Sequence, residues 1–242
     1  MKRALVVLLM LAVASMASAS PFGIWEFNNT SNLTQATVGT DLALTGSVTA
    51  AAGVDAADGA AFVGQGSYLT ISGMGNGTGT WSLMMDIMLP QSTIGQYQSL
   101  YQTSPTNEND GECFIHNTRH DIGGSVTGYS TNTVVADTWY RVIVAWNIST
   151  PSYGLYVDGV LWRDTINNPA DLYRYDLDNI LHLFADEDGE DPGIYVSNAA
   201  FWTNQLSAAD AAALGVAGNA IPEPATICLL SLGAISLIRR KK

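Results

Sequence analysis

The sequence has few basic residues, and it has no lysine at all between residues 3 and 240. Six of its ten basic residues lie at the two ends, as Lys2, Arg3 and the run 239–242. Residues 20–219 keep four arginines against 21 acidic residues, a net charge near −17. Such a surface repels nucleic acid and anionic lipid, and this excludes a nucleic-acid-binding function. It can attract cations, or it can serve solubility alone.

Cysteine is almost as scarce. Cys228 lies in the C-terminal apolar run, and Cys113 is the single cysteine between the two ends. A disulfide within residues 20–219 is therefore excluded, but a domain of this length can build its core without cross-links. We predict that Cys113 is a small buried apolar residue. The sequence also lacks a serine nucleophile elbow, a P-loop and a dinucleotide-binding fingerprint.

The N-terminal stretch "MKRALVVLLMLAVASMASAS" has the three parts of a secretory signal peptide. Lys2 and Arg3 supply the positive region, residues 4–14 supply the apolar core, and Ala17-Ser18-Ala19 is a cleavage site of small residues. We predict that residues 1–19 are removed and that the remainder is exported.

The C-terminal stretch "IPEPATICLLSLGAISLIRRKK" is a second apolar run, followed by four positive charges. A membrane-spanning helix needs about 20 apolar residues, so the run from Ala225 to Ile238 is short, and flanking residues must extend it. The basic residues would stay on the cytoplasmic side. The run therefore predicts a transient inner-membrane anchor. A buried C-terminal helix fits less well, because the run has no polar face.

Pro222, Glu223 and Pro224, followed by the apolar run and the basic cluster, resemble the PEP-CTERM sorting signal of Gram-negative bacteria. The resemblance covers residues 220–242. It implies that an exosortase recognises the Pro-Glu-Pro motif and removes the tail. It also implies a final place at the cell surface or in extracellular polymeric material.

The residues between the two signals have β-strand character. "WYRVIVAWN" and "GIYVSNAAFW" are rich in β-branched and aromatic residues, and turn clusters such as "GMGNGTG" separate the runs. In "YGLYVDGVLW", Asp158-Gly159 predicts a hairpin with a type I′ turn. In "LSAADAAALG", Ser207 and Asp210 form the pattern of a capping box, which predicts one short helix over 207–214 that ends at Gly215. The pattern predicts an all-β, two-sheet antiparallel sandwich of twelve to fourteen strands.

Several segments together are similar to the laminin G-like, concanavalin A-like jelly roll: "GIWEFNNTSNL", "SYLTISG", "TWSLMMDIMLP", "DTWYRVIVAWN", "GLYVDGVL" and the ending "LFADEDGEDPGIYVSNAAFWTNQLSAADAAALG". The resemblance spans residues 20–219. It implies an adhesion or binding module that takes carbohydrate or protein ligands, often together with calcium. The matching segments include no strict catalytic motif.

The acidic loop "DEDGED" over 186–191 is the best candidate for a metal site. Its five carboxylates repel one another, and a calcium ion with six to eight oxygen ligands relieves such repulsion. The first and last strands often lie side by side in the family, so the N-terminal "WEFNN" is expected to approach the loop. The predicted calcium ligands are Asp186, Asp188, Glu190, Asp191, Glu26 and Asn28. A solvated acidic loop without metal is the alternative.

A second candidate site is a group of aromatic residues that could stack on a sugar. They lie in the hairpin and in the "DLYRYD" segment, with one arginine among them as a hydrogen-bond donor. The predicted ligand-binding residues are Tyr153, Trp162, Tyr173, Arg174 and Tyr175. Packing in the core is the competing explanation for these rings.

Catalysis is not predicted. The β-glucanases of the same architecture carry Glu-x-Asp-x-Glu on a strand. Here Gly189 and Pro192 interrupt the acidic run, so we predict that this run forms a loop. His116 and His120 in "HNTRH" are interpreted as surface-loop residues rather than zinc ligands. We therefore expect a non-enzymatic module that binds glycan or surface protein. The alternatives are a glycan-active hydrolase and a structural matrix protein without a specific ligand.

Overall fold

The computed structural model describes residues 20–55, 57–104, 106 and 110–221. The signal peptide, the Pro-Glu-Pro motif and the C-terminal apolar run lie outside the described residues. Residues 21–219 form one compact unit, and it is a sandwich of two antiparallel sheets. The predicted fold class is confirmed. Among the described residues, no helix is long and apolar enough to cross a membrane.

The first sheet has eight strands in the order β13-β12-β11-β6-β15-β4-β3, with β1 also paired to β15. Its strands are β1 (Gly23–Trp25), β3 (Val48–Ala52), β4 (Gly59–Gly64), β6 (Thr80–Met88), β11 (Trp139–Asn147), β12 (Ser152–Val157), β13 (Val160–Arg163) and β15 (Gly193–Trp202).

The second sheet has seven strands in the order β10-β9-β8-β7-β14-β5-β2. Its strands are β2 (Ala43–Thr45), β5 (Tyr68–Thr78), β7 (Gln98–Gln102), β8 (Glu112–Ile115), β9 (Asp121–Gly124), β10 (Gly128–Thr133) and β14 (Leu177–Leu183). The described strands exceed the predicted number because β2 "ALT" and β3 "VTAAA" are short and rich in alanine, which has little β propensity.

The core between the sheets is aromatic at its centre. The Trp146 ring stacks on the Tyr175 ring at 3.9 Å between centroids, and Trp81 meets Tyr101 edge to face. The indole N–H of Trp81 donates to the Tyr175 carbonyl at 2.8 Å, and that of Trp146 donates to the Tyr101 hydroxyl at 3.0 Å. These buried bonds satisfy the polar atom of each large ring, and the Trp146 bond also ties β11 to β7 of the other sheet.

The local predictions for the hairpin and the helix are confirmed. Asp158 and Gly159 have φ values of 51° and 76° between β12 and β13, as a type I′ turn requires. Helix α1 spans Ala208–Leu214, and Ser207 forms the complete capping box with Asp210. Gly215 follows with a φ of 70°. Cys113 is buried in the core as expected, and burial raises the pKa of its thiol.

A second short helix was not predicted. It is a 3₁₀ helix over Pro169–Tyr175, and it contains both tyrosines of the "DLYRYD" segment that we predicted to bind a sugar. The helix buries Leu172 and Tyr175 against the core. The two aromatic residues of this segment therefore have different environments, which sequence spacing alone does not reveal.

The outer face of the eight-stranded sheet is covered by the segment that follows β15. Asp86, Arg141 and Asn198 lie side by side on β6, β11 and β15. The Arg141 guanidinium donates to both Asp86 oxygens at 2.7 Å and to the carbonyls of Leu214 and Asn219 at 2.6 and 2.7 Å. Asp86 also accepts from the Gly218 N–H at 3.0 Å and from Asn198. We call this set the Arg141 network. It holds residues 214–219 against the sheet.

Candidate functional site

The outer face of the seven-stranded sheet carries a row of polar side chains. Thr70 on β5 lies opposite His182 on β14, His182 lies opposite Gln102 on β7, and Gln102 lies opposite Glu112 on β8. Their neighbours along each strand, such as Leu181 and Cys113, point into the core. Because successive side chains of a strand alternate between faces, the four polar residues share the outer face. We call Thr70, His182, Gln102 and Glu112 the polar row.

An aromatic group adjoins this row. Phe114 is two residues from Glu112 on β8 and so shares its face. The Tyr97 ring contacts Phe114 and His116, with centroids 6.1 and 4.9 Å apart, and His116 lies 5.1 Å from the Tyr129 ring. Phe114 is buried, and the other three are half-buried. We call Tyr97, Phe114, His116 and Tyr129 the aromatic patch.

His182 is fixed and neutral in the row. Its Nδ1 is 2.9 Å from the Thr70 hydroxyl, and the ring meets Tyr68 edge to face. Burial lowers the pKa of this imidazole, so the ring carries no charge at neutral pH. Its Nε2 has no hydrogen-bond partner among the described residues. Whichever tautomer the Thr70 contact selects, Nε2 remains able to accept or donate one hydrogen bond.

The acidic loop after β14 folds over the same end of the sheet. Ser99 on β7 donates its N–H to the Glu190 carbonyl at 2.8 Å, and Gln102 donates its amide to Asp186 Oδ1 at 3.2 Å. The other Asp186 oxygen accepts the N–H groups of Asp188 and Glu190 at 3.0 and 2.6 Å. Backbone donors therefore stabilise the first carboxylate of the loop.

Two further carboxyl groups, those of Asp110 just before β8 and of Glu112 at its start, interact with this loop through their charges. Burial, and then the charges of Asp110 and Asp186, raise the pKa of Glu112 to about 7. Burial also raises the pKa of Asp110, with Asp186 adding to the effect. The pKa of Glu187 and that of Glu190 rise for the same two reasons, burial first. We call Asp110, Glu112, Asp186, Glu187 and Glu190 the acidic cluster. Sequence reasoning found its loop members and missed Asp110 and Glu112, which only the order β8-β7-β14 brings near.

The predicted calcium ligands are not all brought together. Asp191 is buried and accepts the Gly66 N–H at 2.9 Å, just beyond one end of β4. Asn28 accepts the Gly59 N–H at the other end of β4, and Glu26 accepts the Thr37 hydroxyl. A strand of six residues spans ~17 Å, so these two do not reach the loop. Among the described His, Cys, Asp and Glu residues, no group of three is arranged to hold a metal ion. Calcium binding stays a prediction.

The predicted sugar-stacking residues are also dispersed. Tyr153 and Tyr175 are buried, and both pack on Trp146 in the core. Trp162 is half-buried and packs against the core cluster. Tyr173 is 54% exposed, and Arg174 pairs with Asp171 at 3.6 Å. Core packing explains the buried rings, so the five residues do not form one surface.

One depression outside these groups offers less chemistry. It has a volume of about 440 Å³ and is lined by Gly77, Thr78, Gly79, Thr80, Ile148, Ser149, Asp176 and Thr203. It contains one ionisable side chain and no aromatic ring. In the aromatic patch, by contrast, His116 Nε2 shares a hydrogen bond with the Tyr97 hydroxyl at 3.1 Å, and its Nδ1 accepts the Thr118 N–H at 3.2 Å. We therefore take the polar row, the aromatic patch and the acidic cluster as the candidate site.

Comparison with known proteins identifies the C-terminal signal. Residues 220–242 match the PEP-CTERM protein-sorting motif. This motif indicates an exported protein of a Gram-negative bacterium that passes through a membrane-anchored intermediate and is processed by an exosortase. Among curated protein sequences, none matches this chain.

Several solved structures have a similar fold, and two of them contain a bound carbohydrate. Domain 4 of AbnA, a GH43 extracellular arabinanase from Geobacillus stearothermophilus, in complex with arabinotriose, aligns with a TM-score of 0.59 at 14% identity, covering 81% of this chain and 98% of that one. The ligand-binding domain of botulinum neurotoxin serotype D, in complex with N-acetylneuraminic acid, aligns with a TM-score of 0.59 at 15% identity. That alignment covers 84% of this chain and 52% of the toxin domain. The serotype G binding domain aligns with a TM-score of 0.56 at 10% identity, covering 80% and 50%.

The chain spans about half the length of the neurotoxin domains that it matches. Identities this low establish the fold alone. They support a two-sheet sandwich and do not single out the laminin G-like family, which stays a prediction.

Proposed function

We propose that residues 20–219 are an exported carbohydrate-binding module whose ligand lies on the polar row and the aromatic patch. One observation carries the proposal. Six buried side-chain atoms of the described residues lack a hydrogen-bond partner: Ser99 Oγ, Asp110 Oδ2, Asp121 Oδ1, Arg174 Nε, His182 Nε2 and Asp191 Oδ1. All six belong to the seven-stranded sheet or to connections that begin or end at one of its strands. Buried polar groups need partners, and a ligand or its bridging waters can supply them.

The chemistry of the site suits a saccharide. The polar row offers an amide, a neutral imidazole, a hydroxyl and a carboxyl group, and these together donate and accept as sugar hydroxyls do. The half-buried rings of Tyr97 and Tyr129 offer apolar surface beside the row. A mostly apolar surface with a few convergent polar groups is the usual form of a small-ligand site.

The similar structures support the ligand class. The arabinanase domain was solved with arabinotriose, and one neurotoxin domain with N-acetylneuraminic acid. Those ligands belong to those proteins, and what we carry over is carbohydrate as a class. We propose the cell surface or the extracellular polymeric material as the final location, with polysaccharide or a surface protein as the partner.

A glycan array probed with the exported protein tests the binding function. We expect hits that weaken in Gln102→Ala, because Gln102 lies at the centre of the polar row. Tyr173→Ala is the control, since Tyr173 is exposed outside the candidate site. An array without hits, with and without calcium, would favour a structural matrix protein instead. Loss of binding in Tyr173→Ala alone would move the site to the 3₁₀ helix.

Intact mass of the protein recovered outside the cell tests the processing. We expect loss of residues 1–19 and of the tail that follows the Pro-Glu-Pro motif. A full-length chain outside the cell that still carries Arg239–Lys242 would contradict exosortase processing.

Glu112 favours one alternative function, glycan hydrolysis. Its pKa of about 7, set by burial and by Asp110, suits a general acid at neutral pH. A reducing-sugar assay on β-glucans distinguishes the two functions. Under the proposed binding function we expect no turnover, whereas turnover that disappears in Glu112→Gln would establish the hydrolase.

A further inference from the structure

The acidic cluster occupies one end of the polar row. Glu112 is the last residue of the row, and Gln102, next to it, donates to Asp186 of the loop. Neighbouring strands lie about 4.8 Å apart, so the row from Thr70 to Glu112 extends over ~14 Å. A ligand that lies along the row therefore has one end among carboxylates.

One arginine near this cluster offsets part of its negative charge, and this arginine also pairs with another carboxylate. Arg174 acts on Asp110 through its charge, but it is paired with Asp171 at 3.6 Å. His182 is buried and neutral at neutral pH. The other arginines of the domain are engaged elsewhere: Arg119 with Asp121, Arg141 with Asp86, and Arg163 with the Thr127 and Tyr129 carbonyls. The cluster therefore has an excess of negative charge.

Two buried atoms show that this end is incomplete without a ligand. Asp110 is 5% exposed, and its Oδ2 has no hydrogen-bond partner within the part of the chain that the structure describes. Its charge acts on Glu112, which lies two residues further along the chain, and on Glu187 of the loop. His182 lies two strands away along the row and is 6% exposed. Its Nε2 has no hydrogen-bond partner among the described residues. One atom is an anionic acceptor, and the other is a neutral donor or acceptor.

From this arrangement we propose that the acidic cluster binds an ammonium group, so that the ligand is a glycan with free amino groups. The inference rests on the proposed function, because it names the kind of glycan. The ammonium group of an amino sugar has three N–H donors, which can form hydrogen bonds with carboxylate oxygens of the cluster. The sugar hydroxyls meet Gln102 and His182 further along the row. A uronic or sialic acid would add its own negative charge to those of the cluster, so its binding is disfavoured.

Binding of three matched glycans to the exported protein tests this inference. The probes are an oligomer of β-1,4-linked glucosamine, its N-acetylated counterpart and a uronic acid oligomer. A charge-assisted hydrogen bond contributes about 1.5–3 kcal/mol, so we expect the amino form to bind about tenfold or more tighter than the N-acetylated form. The uronic acid oligomer should not bind measurably.

Two variants separate a site from general attraction to an acidic protein. Glu112→Gln should weaken binding of the amino form much more than binding of the N-acetylated form, so that most of the preference for the amino form is lost. Asp164→Asn, an exposed acidic residue after β13, removes the same charge and should have little effect. Equal losses in both variants would show nonspecific charge attraction and overturn the inference.

The outcomes also separate this inference from the proposed function. If the N-acetylated oligomer binds and the amino form binds no tighter, the amine site is wrong and the carbohydrate module survives. If none of these probes and no glycan on the array binds, the proposed function itself fails. If calcium blocks the amino form but leaves the N-acetylated form bound, the cluster is a cation site rather than an amine site.

Discussion

Ser82 and Ser99 are both completely buried, on strands of opposite sheets, yet their hydrogen bonding differs. Ser82 Oγ donates to the Asn204 carbonyl at 2.9 Å and accepts the Leu206 N–H at 2.8 Å. Ser99 Oγ has no hydrogen-bond partner in the described residues. The same contrast holds for the two outer faces. On one, the Arg141 network pairs its charged atoms with the segment after β15, and on the other the polar row and acidic cluster leave atoms unpaired.

This difference indicates which sheet has an outer face that stabilises the fold and which has an outer face available for a ligand. The eight-stranded sheet is closed by its own chain, so its polar groups stabilise the native structure. The seven-stranded sheet keeps polar groups that folding alone does not satisfy. Such groups reduce stability unless a partner is supplied, and they are expected at functional sites.

The largest effect is expected from Arg141→Met. This change leaves Asp86 charged and buried and removes the donors to the Leu214 and Asn219 carbonyls. Breaking one side of a buried ion pair typically lowers the free energy of unfolding by about 3–5 kcal/mol. Urea unfolding monitored by circular dichroism measures the loss. Arg119→Met is the control, because Arg119 is exposed, and a loss no larger than in that variant would contradict the role of the network.

The two buried serines test the comparison directly. Ser82→Ala removes two buried hydrogen bonds and leaves the Leu206 N–H unpaired, so we expect a loss of about 1–3 kcal/mol in the free energy of unfolding. Ser99→Ala removes an unpaired hydroxyl, and we expect stability to stay unchanged or to rise. Equal losses in the two variants would show that Ser99 has a partner equivalent to those of Ser82.

The acidic cluster should make stability fall as pH rises. Burial and neighbouring charges raise the pKa of Glu112 from 4.5 to about 7 in the folded state. Between these values the folded protein binds more protons than the unfolded chain, so the free energy of unfolding decreases with increasing pH. Melting temperatures from about pH 5 to about pH 8 measure this slope. Glu112→Gln should flatten it, and Glu26→Gln, outside the cluster, should not. A wild-type slope that the first variant leaves unchanged would exclude Glu112 as its source.

The smallest effect concerns calcium. Asp186 already accepts three hydrogen bonds, and Glu26 and Asn28 lie at the far end of β4. Because these contacts occupy Asp186 and keep Glu26 and Asn28 away from the loop, the rise in melting temperature that millimolar calcium gives should be small. A rise larger than that given by magnesium, and abolished by Asp186→Asn with Asp188→Asn, would establish the predicted calcium site, whereas equal rises with the two ions would contradict it.

The local features that sequence predicted well are those set by neighbouring residues. The Asp158-Gly159 turn and the Ser207 capping box need only residues within a few positions of each other. The Arg141 network had a visible signal: a lone acid in "WSLMMDIML" and a lone base in "WYRVIVAWN", each within an apolar strand. The polar row had none, because Thr70, Gln102, Glu112 and His182 are ordinary polar residues in separate strands.

The amino-acid sequence by itself determined the all-β class, the single helix α1, the hairpin turn and the PEP-CTERM signal, because each depends on local pattern and composition. Only the tertiary structure decided which aromatic residues lie in the core and which carboxylates meet. Tyr175 is buried and Tyr173 is exposed, although they are two residues apart. The charge of Asp186 acts on Asp110 because strand order, which arises from long-range pairing, places β8, β7 and β14 side by side.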